Sequence, residues 1–191
     1  MNTNYQLSVD TGRLAIENGT ANPKWFRPDV DPHNIRNLMQ KSDAIAIRDT
    51  AIWLGMMIVS AGCAVALWPS VWSVPFWLVY GVLYGSAADS RWHECGHKTA
   101  FKTTWMNNAV YQLASFMIMR NPAIWQASHV RHHTDTIIVG RDPEIVAMRP
   151  PDLARIALAF VGVVDVYIAF KRMILHASGR IDPEEATYVA A

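Results

Sequence analysis

Residues 50–88 read TAIWLGMMIVSAGCAVALWPSVWSVPFWLVYGVLYGSAA, 39 residues between Asp49 and Asp89 without a charge. A helix needs roughly 20 apolar residues to cross a bilayer, so this run has the length of two spans. It carries its own punctuation. Pro69 and Pro75 bracket Ser70-Val71-Trp72-Ser73-Val74, and Trp68, Trp72 and Trp77 cluster there, as aromatic residues do at a headgroup boundary. The pattern predicts an integral membrane hairpin, with one span at about 50–68 and a second at about 75–90. A buried helical hairpin in a soluble protein is the alternative, but soluble helices rarely run this far without a charge. Both hairpin ends are basic: Lys24, Arg27, Arg36, Lys41 and Arg48 before it, and Arg91, Lys98, Lys102, Arg120 and Arg131 after it. By the positive-inside rule those ends are cytoplasmic and the turn lies outside.

The rest of the chain is read outward from that hairpin. Residues 1–32 are expected to be irregular, with Pro23, Pro28 and Pro32 breaking any long helix towards their end. Trp25 and Phe26, among basic residues, suit either a membrane interface or a loop packed on the domain. Ile35, Leu38, Met39, Ile45 and Ala46 suggest an amphipathic surface helix over 33–48. Residues 1–48 then form a cytoplasmic N-terminal segment and 49–191 the membrane domain. Asn107–Met119 is apolar but too short to span, which fits a re-entrant or membrane-surface helix. Asn121-Pro122 is a helix start, with Asn as cap and Pro at the first helical position. Leu153–Phe170 is apolar apart from Arg155 and Asp165, and with its Arg-Pro-Pro-Asp lead-in at 149–152 it reads as an interfacial helix. Gly179 and Pro183 break the chain after it. The fold class is all-α.

Composition narrows the functions. Hydrophobic residues make up 51% and charged residues 17%, and the net charge of +1 gives no case for nucleic acid. Residues 1–5 are polar with no apolar core behind them, which is not a signal-peptide pattern. Cys63 and Cys95 do not make a disulfide framework, and a reduced cytosolic face suits them.

Five of the seven histidines stand in two clusters, His93 and His97 just after the apolar run, and His129, His132 and His133 on the helix that Asn121-Pro122 opens. On a helix, residues three or four apart share a face. Two helices carrying two and three imidazoles can converge on one or two metal ions, since neutral imidazole ligates iron, zinc and copper. His33 and His176 are isolated and read as ordinary histidines. His93-Glu94-Cys95-Gly96-His97 also matches the zinc-protease pattern H-E-x-x-H, with the glutamate as general base. That reading uses two histidines and leaves most of the second cluster idle, whereas five suit a two-metal site. Glu94 and Asp89, and Asp135 and Asp142 after the second cluster, could orient ligand imidazoles or be solvated charges.

The pair of patterns HxxxH and HxxHH, the first ending an apolar hairpin, resembles the membrane fatty acid desaturase family. His93-Glu94-Cys95-Gly96-His97-Lys98-Thr99-Ala100-Phe101 looks like that family's first histidine box, and His129-Val130-Arg131-His132-His133-Thr134 like its second. The resemblance covers roughly residues 50–150. It implies two non-haem iron ions held by His93, His97, His129, His132 and His133. It also implies O₂-dependent insertion of a double bond into a fatty acyl chain, with electrons from a ferredoxin or a cytochrome b5-type protein. Alkane hydroxylases and carotenoid-modifying enzymes have similar boxes, so hydroxylation of an apolar molecule is an alternative, and a non-catalytic membrane metal-binding protein another. The family carries a third histidine box beyond a second hairpin. After His133 only His176 follows, so the chain is expected to be a fragment that does not turn over alone, unless His176 supplies the missing ligand.

Overall fold

In a computed structural model of the chain, every regular element among the described residues is a helix, as the reading of an all-α protein requires. The structure describes residues 7–189, apart from 22, 23, 25, 27 and 146–149. The expectations for Trp25 and for part of the 149–152 lead-in fall outside the described residues. The chain divides into two compact units, residues 29–119 and residues 1–28 with 120–191.

In the first of these units, α2 (Pro32–Leu38) and α3 (Asp43–Ala66) replace the single helix expected over 33–48. Asp31 caps α2 by accepting from the His33 amide at 2.8 Å. The helix then lapses over Gln40–Ser42, where the apolar repeat has no member between Met39 and Ile45. It restarts at Asp43, whose carboxylate accepts from the Thr103 amide at 2.9 Å and the Thr103 hydroxyl at 2.6 Å. α3 has 24 residues, about 36 Å at 1.5 Å per residue. Among the described residues one helical stretch, Pro32–Ala66, is long and apolar enough to cross a membrane, and α3 is its unbroken part.

α4 (Val74–Ser86) returns alongside α3 after a turn in which Ser70 Oγ accepts from the Trp72 amide. At the far end from that turn, the Trp53 indole donates to Leu83 O at 2.9 Å and lies 3.2 Å from Ser86 Oγ. Trp53, Ser60 and Ala64 are the buried residues of α3; the last two are small enough to let helix backbones approach closely. The outward side of both helices is apolar and open: Ile52, Met56, Ile58, Val59, Val65, Leu78 and Val82 are exposed. α4 has only 13 residues. It continues through a wider π turn at Ala87–Arg91 into α5 (Trp92–Gly96).

α5 is seated on α6 (Thr104–Met117), which occupies the short apolar segment expected at 107–119. Trp92 and Cys95 are the buried residues of α5. The Trp92 indole donates to Ser115 Oγ at 3.0 Å and its ring stacks on Tyr111. Asn107, 1% exposed, fixes the link between the two helices: its Oδ1 accepts from the Phe101 amide at 3.0 Å and its Nδ2 donates to Phe101 O at 2.8 Å.

The other unit begins with a helix that the sequence reading left irregular, α1 (Val9–Glu17). Its reason is local. Ser8 and Thr11 form a reciprocal capping box, and the prolines that argue against helix lie beyond its end. Gly12 is the buried residue of α1, and a Cβ built there would stand 2.5 Å from Val139 O. Glycine is what lets α1 lie directly on the backbone of the 136–145 loop.

α7 (Pro122–Asp135) opens as expected, with Asn121 Oδ1 accepting from the Ala123 and Ile124 amides. Leu153–Phe170 is not one helix. It is α8 (Leu153–Val161) and the start of α9 (Val163–Ala177), parted by Gly162 at φ 74°, a left-handed backbone that glycine adopts without strain. Val163, Val166, Tyr167, Phe170 and Ile174 are exposed on α9. α9 stops before Gly179, as the breakers there predict.

Candidate metal centre

The first histidine box closes the α4–π–α5 run. Trp92 and Cys95 point into α6, which leaves His93, Glu94 and His97 on the outer side of the same turn. The His93 and His97 rings lie 4.7 Å apart, edge to face, and their ligand nitrogens are within 4.8 Å of one another. The predicted i, i+4 pairing is therefore present. Glu94 is not directed squarely at an imidazole. Its Oε2 accepts from the Thr99 hydroxyl at 2.6 Å, while Oε1 lies 3.3 Å from His93 Nδ1. The Thr99 hydroxyl holds the Glu94 carboxyl below its ordinary value, ahead of an opposing effect of burial and a smaller pull from His93. Burial pushes the Cys95 thiol up to about 11, and its side chain is buried on the α6 side of the turn. The side chain of Asp89 lies outside the described residues.

The second box is built differently. His129 is buried, its ring stacked on Trp125 with centroids 4.3 Å apart. Its Nδ1 stands 2.9 Å from Glu144 Oε2, and the Ser128 hydroxyl lies 3.1 Å from the other oxygen of that carboxylate. His132 Nδ1 stands 2.9 Å from Asp142 Oδ1. His133 Nε2 and His129 Nε2 are 3.1 Å apart. Asp142 also accepts from the amides of Ile137 at 2.8 Å and Glu144 at 2.9 Å. Burial pushes the Asp142 carboxyl up, but those two amides and His132 outweigh it, and its pKa is lowered.

The donor chemistry fits a metal. Metal–imidazole nitrogen bonds are about 2.0–2.1 Å long. Two nitrogens on adjacent positions of one ion are then about 3.0–3.4 Å apart, which is the separation of the His129 and His133 Nε2 atoms. A carboxylate on Nδ1 is the usual companion of a metal-bound histidine.

Of the acids singled out in the sequence, Asp142 faces His132 and Glu94 faces mainly Thr99. Asp135 is turned to arginine instead, 2.9 Å from Arg141 and 3.7 Å from Arg131. Glu144, the partner of His129, was missed. Its signal was available in Asp142-Pro143-Glu144, which returns two carboxylates to a helix that carries three imidazoles. His176 is occupied elsewhere in its unit, with Nε2 2.8 Å from Oε2 of the buried Glu185.

The family model for fatty acid desaturase matches residues 68–183, which takes in both boxes. The chain belongs to the fatty acid desaturase family. Curated relatives agree. It is 31% identical over 126 residues to a bifunctional fatty acid conjugase/Delta(12)-oleate desaturase of Punica granatum, covering 63% of this chain and 31% of that protein. It is 27% identical over 124 residues to the omega-6 fatty acid desaturase, endoplasmic reticulum isozyme 1, of Glycine max, covering 63% and 31%. It is 26% identical over 139 residues to the Delta(12)-fatty-acid desaturase of Arabidopsis thaliana, covering 71% and 36%. The chain thus spans about a third of the length of the desaturases it matches. No solved structure matches it. The resemblance read from the two boxes is borne out at the level of the family.

Proposed function

We propose that this chain supplies the first two histidine boxes of a membrane oxidoreductase that introduces a double bond into a fatty acyl chain, using O₂ and a pair of non-haem irons. The observation that carries the reading is the His129–His133 pair, two Nε2 atoms at metal-ligand separation on a helix whose imidazoles are backed by carboxylates. His93, His97, His129, His132 and His133 would hold the metal. Relatives named as oleate and omega-6 desaturases point to the same substrate class.

An unactivated methylene has no acidic proton and no leaving group, so neither a general base nor a nucleophile can begin the reaction. Iron together with O₂ supplies the oxidising chemistry that such a bond requires. The side chains of this chain supply placement. Trp92 and Asn107 anchor α5 on α6 and so fix where His93 and His97 stand. Trp125 and Glu144 fix the plane of His129, and Asp142 that of His132. The exposed apolar sides of α3 and α4 suit acyl chains of a bilayer, with α3 and the α4–π–α5 run as a membrane hairpin and the boxes on its cytoplasmic side. Electrons would come from a ferredoxin or cytochrome b5-type donor.

The test is to express the chain in membranes, load it anaerobically with Fe(II), count bound iron and zinc, and then admit O₂ with a reduced donor and follow acyl products by mass spectrometry. Bound iron and a loss of two hydrogens from the acyl chain are expected. A chain that takes zinc and refuses iron, or a product that gains oxygen, overturns the reading.

A further inference from the structure

We infer that Glu144 and Asp142 are the positioning residues of the second box, acting together from one return loop to fix which nitrogen His129 and His132 present to the metal. The inference rests on the metal reading above and adds to it the device that sets the ligands.

A carboxylate accepts hydrogen bonds and does not donate them. The 2.9 Å contact from a Glu144 carboxylate oxygen to His129 Nδ1 places the proton on that nitrogen. The neutral ring then carries its lone pair on Nε2, the atom facing His133. The Asp142 carboxylate, which accepts from the amides of Ile137 and Glu144, imposes the same arrangement on His132 through a second 2.9 Å contact. Both rings are therefore set to ligate through Nε2. In the metal-free chain, the short His133–His129 contact then has His133 Nε2–H as donor. Metal binding must displace that proton.

The two carboxylates do not act independently. Asp142 accepts from the amides of Ile137 and Glu144, so one carboxylate both holds His132 and closes the loop that delivers Glu144 to His129. Ser128, adjacent to His129 in sequence, steadies the other Glu144 oxygen. The outer side of the loop is set by α1, through the close approach of Gly12 to Val139. A loop of residues 136–145, closed by its own aspartate and braced by an N-terminal helix, converts a flexible stretch into a rigid second layer of the ligand set.

Two measurements on the 191-residue chain in detergent micelles test this. The first needs no metal: ¹⁵N–¹H correlation of the imidazoles. His129 and His132 are expected to be protonated at Nδ1 and bare at Nε2 at pH 8. Glu144→Ala should return His129 to the Nε2-protonated form preferred by free imidazole and leave His132 unchanged, and Glu144→Gln should restore the Nδ1–H form through its side-chain carbonyl. The second is Co(II) or Fe(II) affinity by chelator competition, where Glu144→Ala should bind about 10- to 100-fold more weakly and Glu144→Gln should recover most of that loss. Far-UV circular dichroism of each variant confirms that helix content is kept. Nδ1 left bare in the wild type, or Glu144→Ala with unchanged tautomer and affinity, overturns the inference alone. A wild type with the expected tautomers that binds no metal overturns the metal reading and leaves only a structural clamp.

Discussion

The two histidine boxes solve one problem by different means. The first is oriented from behind. Trp92 and Cys95 are sunk against α6, and His93 and His97 stand out from the opposite side of the same turn, with one carboxylate nearby that is turned chiefly to a threonine. The second is oriented from the front, by two carboxylates that reach its imidazoles from a loop folded on Asp142. Helix packing sets the position of a ligand, and a hydrogen bond to the other ring nitrogen sets its tautomer. The second box should therefore depend on the 136–145 loop, and the first on the integrity of the α5–α6 contact.

The largest effect is expected from removing a ligand of the second box. His129→Ala deletes one nitrogen of the 3.1 Å pair and leaves the half-buried Glu144 carboxylate without its imidazole. Metal affinity, read by chelator competition, should fall by more than about 100-fold, since losing even a supporting residue costs 10- to 100-fold. Near-normal affinity in His129→Ala would remove the premise that the second box leads.

Next is the packing that serves the first box. Asn107→Ala strips both partners from the backbone of Phe101 in a buried setting. Each buried polar group left unsatisfied costs about 1–3 kcal/mol, so the unit spanning 29–119 should lose about 3 kcal/mol of stability. The check is the denaturation midpoint in mixed micelles. Maleimide should also begin to label Cys95, which is slow to react in the wild type because burial raises its thiol to about 11. An unchanged midpoint with Cys95 still protected would show that the first box does not lean on α6.

Gly12→Ala probes the brace behind the second box and should cost less. The new methyl would meet Val139 O at 2.5 Å, so α1 and the loop must separate by a few tenths of an ångström or more. Overpacking of this kind costs about 1–3 kcal/mol. Gly12→Ala should weaken metal binding severalfold and speed amide exchange at Ile137, while His93 and His97 keep their wild-type resonances. A matching shift at the first box would erase the distinction between the two.

What the sequence disclosed, and what it hid, follows the range of the interactions. Local signals read correctly: the uncharged run as helical, Asn121-Pro122 as a cap, and i, i+4 histidines as neighbours, because each is decided within a few turns of helix. The capping box of α1 is equally local: Ser8 and Thr11 open a helix that ends at Glu17, before the prolines that argue against helix in residues 1–32. The break of 33–48 into two helices depends on Asp43 binding Thr103, sixty residues away. The role of Glu144 depends on a loop that turns back. A sequence shows that such acids are present; only the folded chain shows that Asp135 goes to Arg141, Asp142 to His132 and Glu144 to His129.

The smallest effect is expected at Glu94, and its smallness is the point. Glu94 and Glu144 are both acids near a ligand histidine, yet Glu94 accepts its short hydrogen bond from Thr99 and stands 3.3 Å from His93, with about half of its side chain in solvent. An exposed pair of this kind is worth about 0–1 kcal/mol. Glutamine keeps an acceptor for Thr99, so Glu94→Gln should change metal affinity by less than about fivefold. The same substitution judges the competing reading of His93-Glu94-Cys95-Gly96-His97. In a zinc protease of the H-E-x-x-H type the glutamate is the general base that activates the metal-bound water, and glutamine cannot take that proton. Proteolysis by the wild type that disappears in Glu94→Gln would transfer the chemistry to the first box and make the second its accessory. Retained metal, retained acyl turnover and no proteolysis in either protein would leave the second box in charge of its metal.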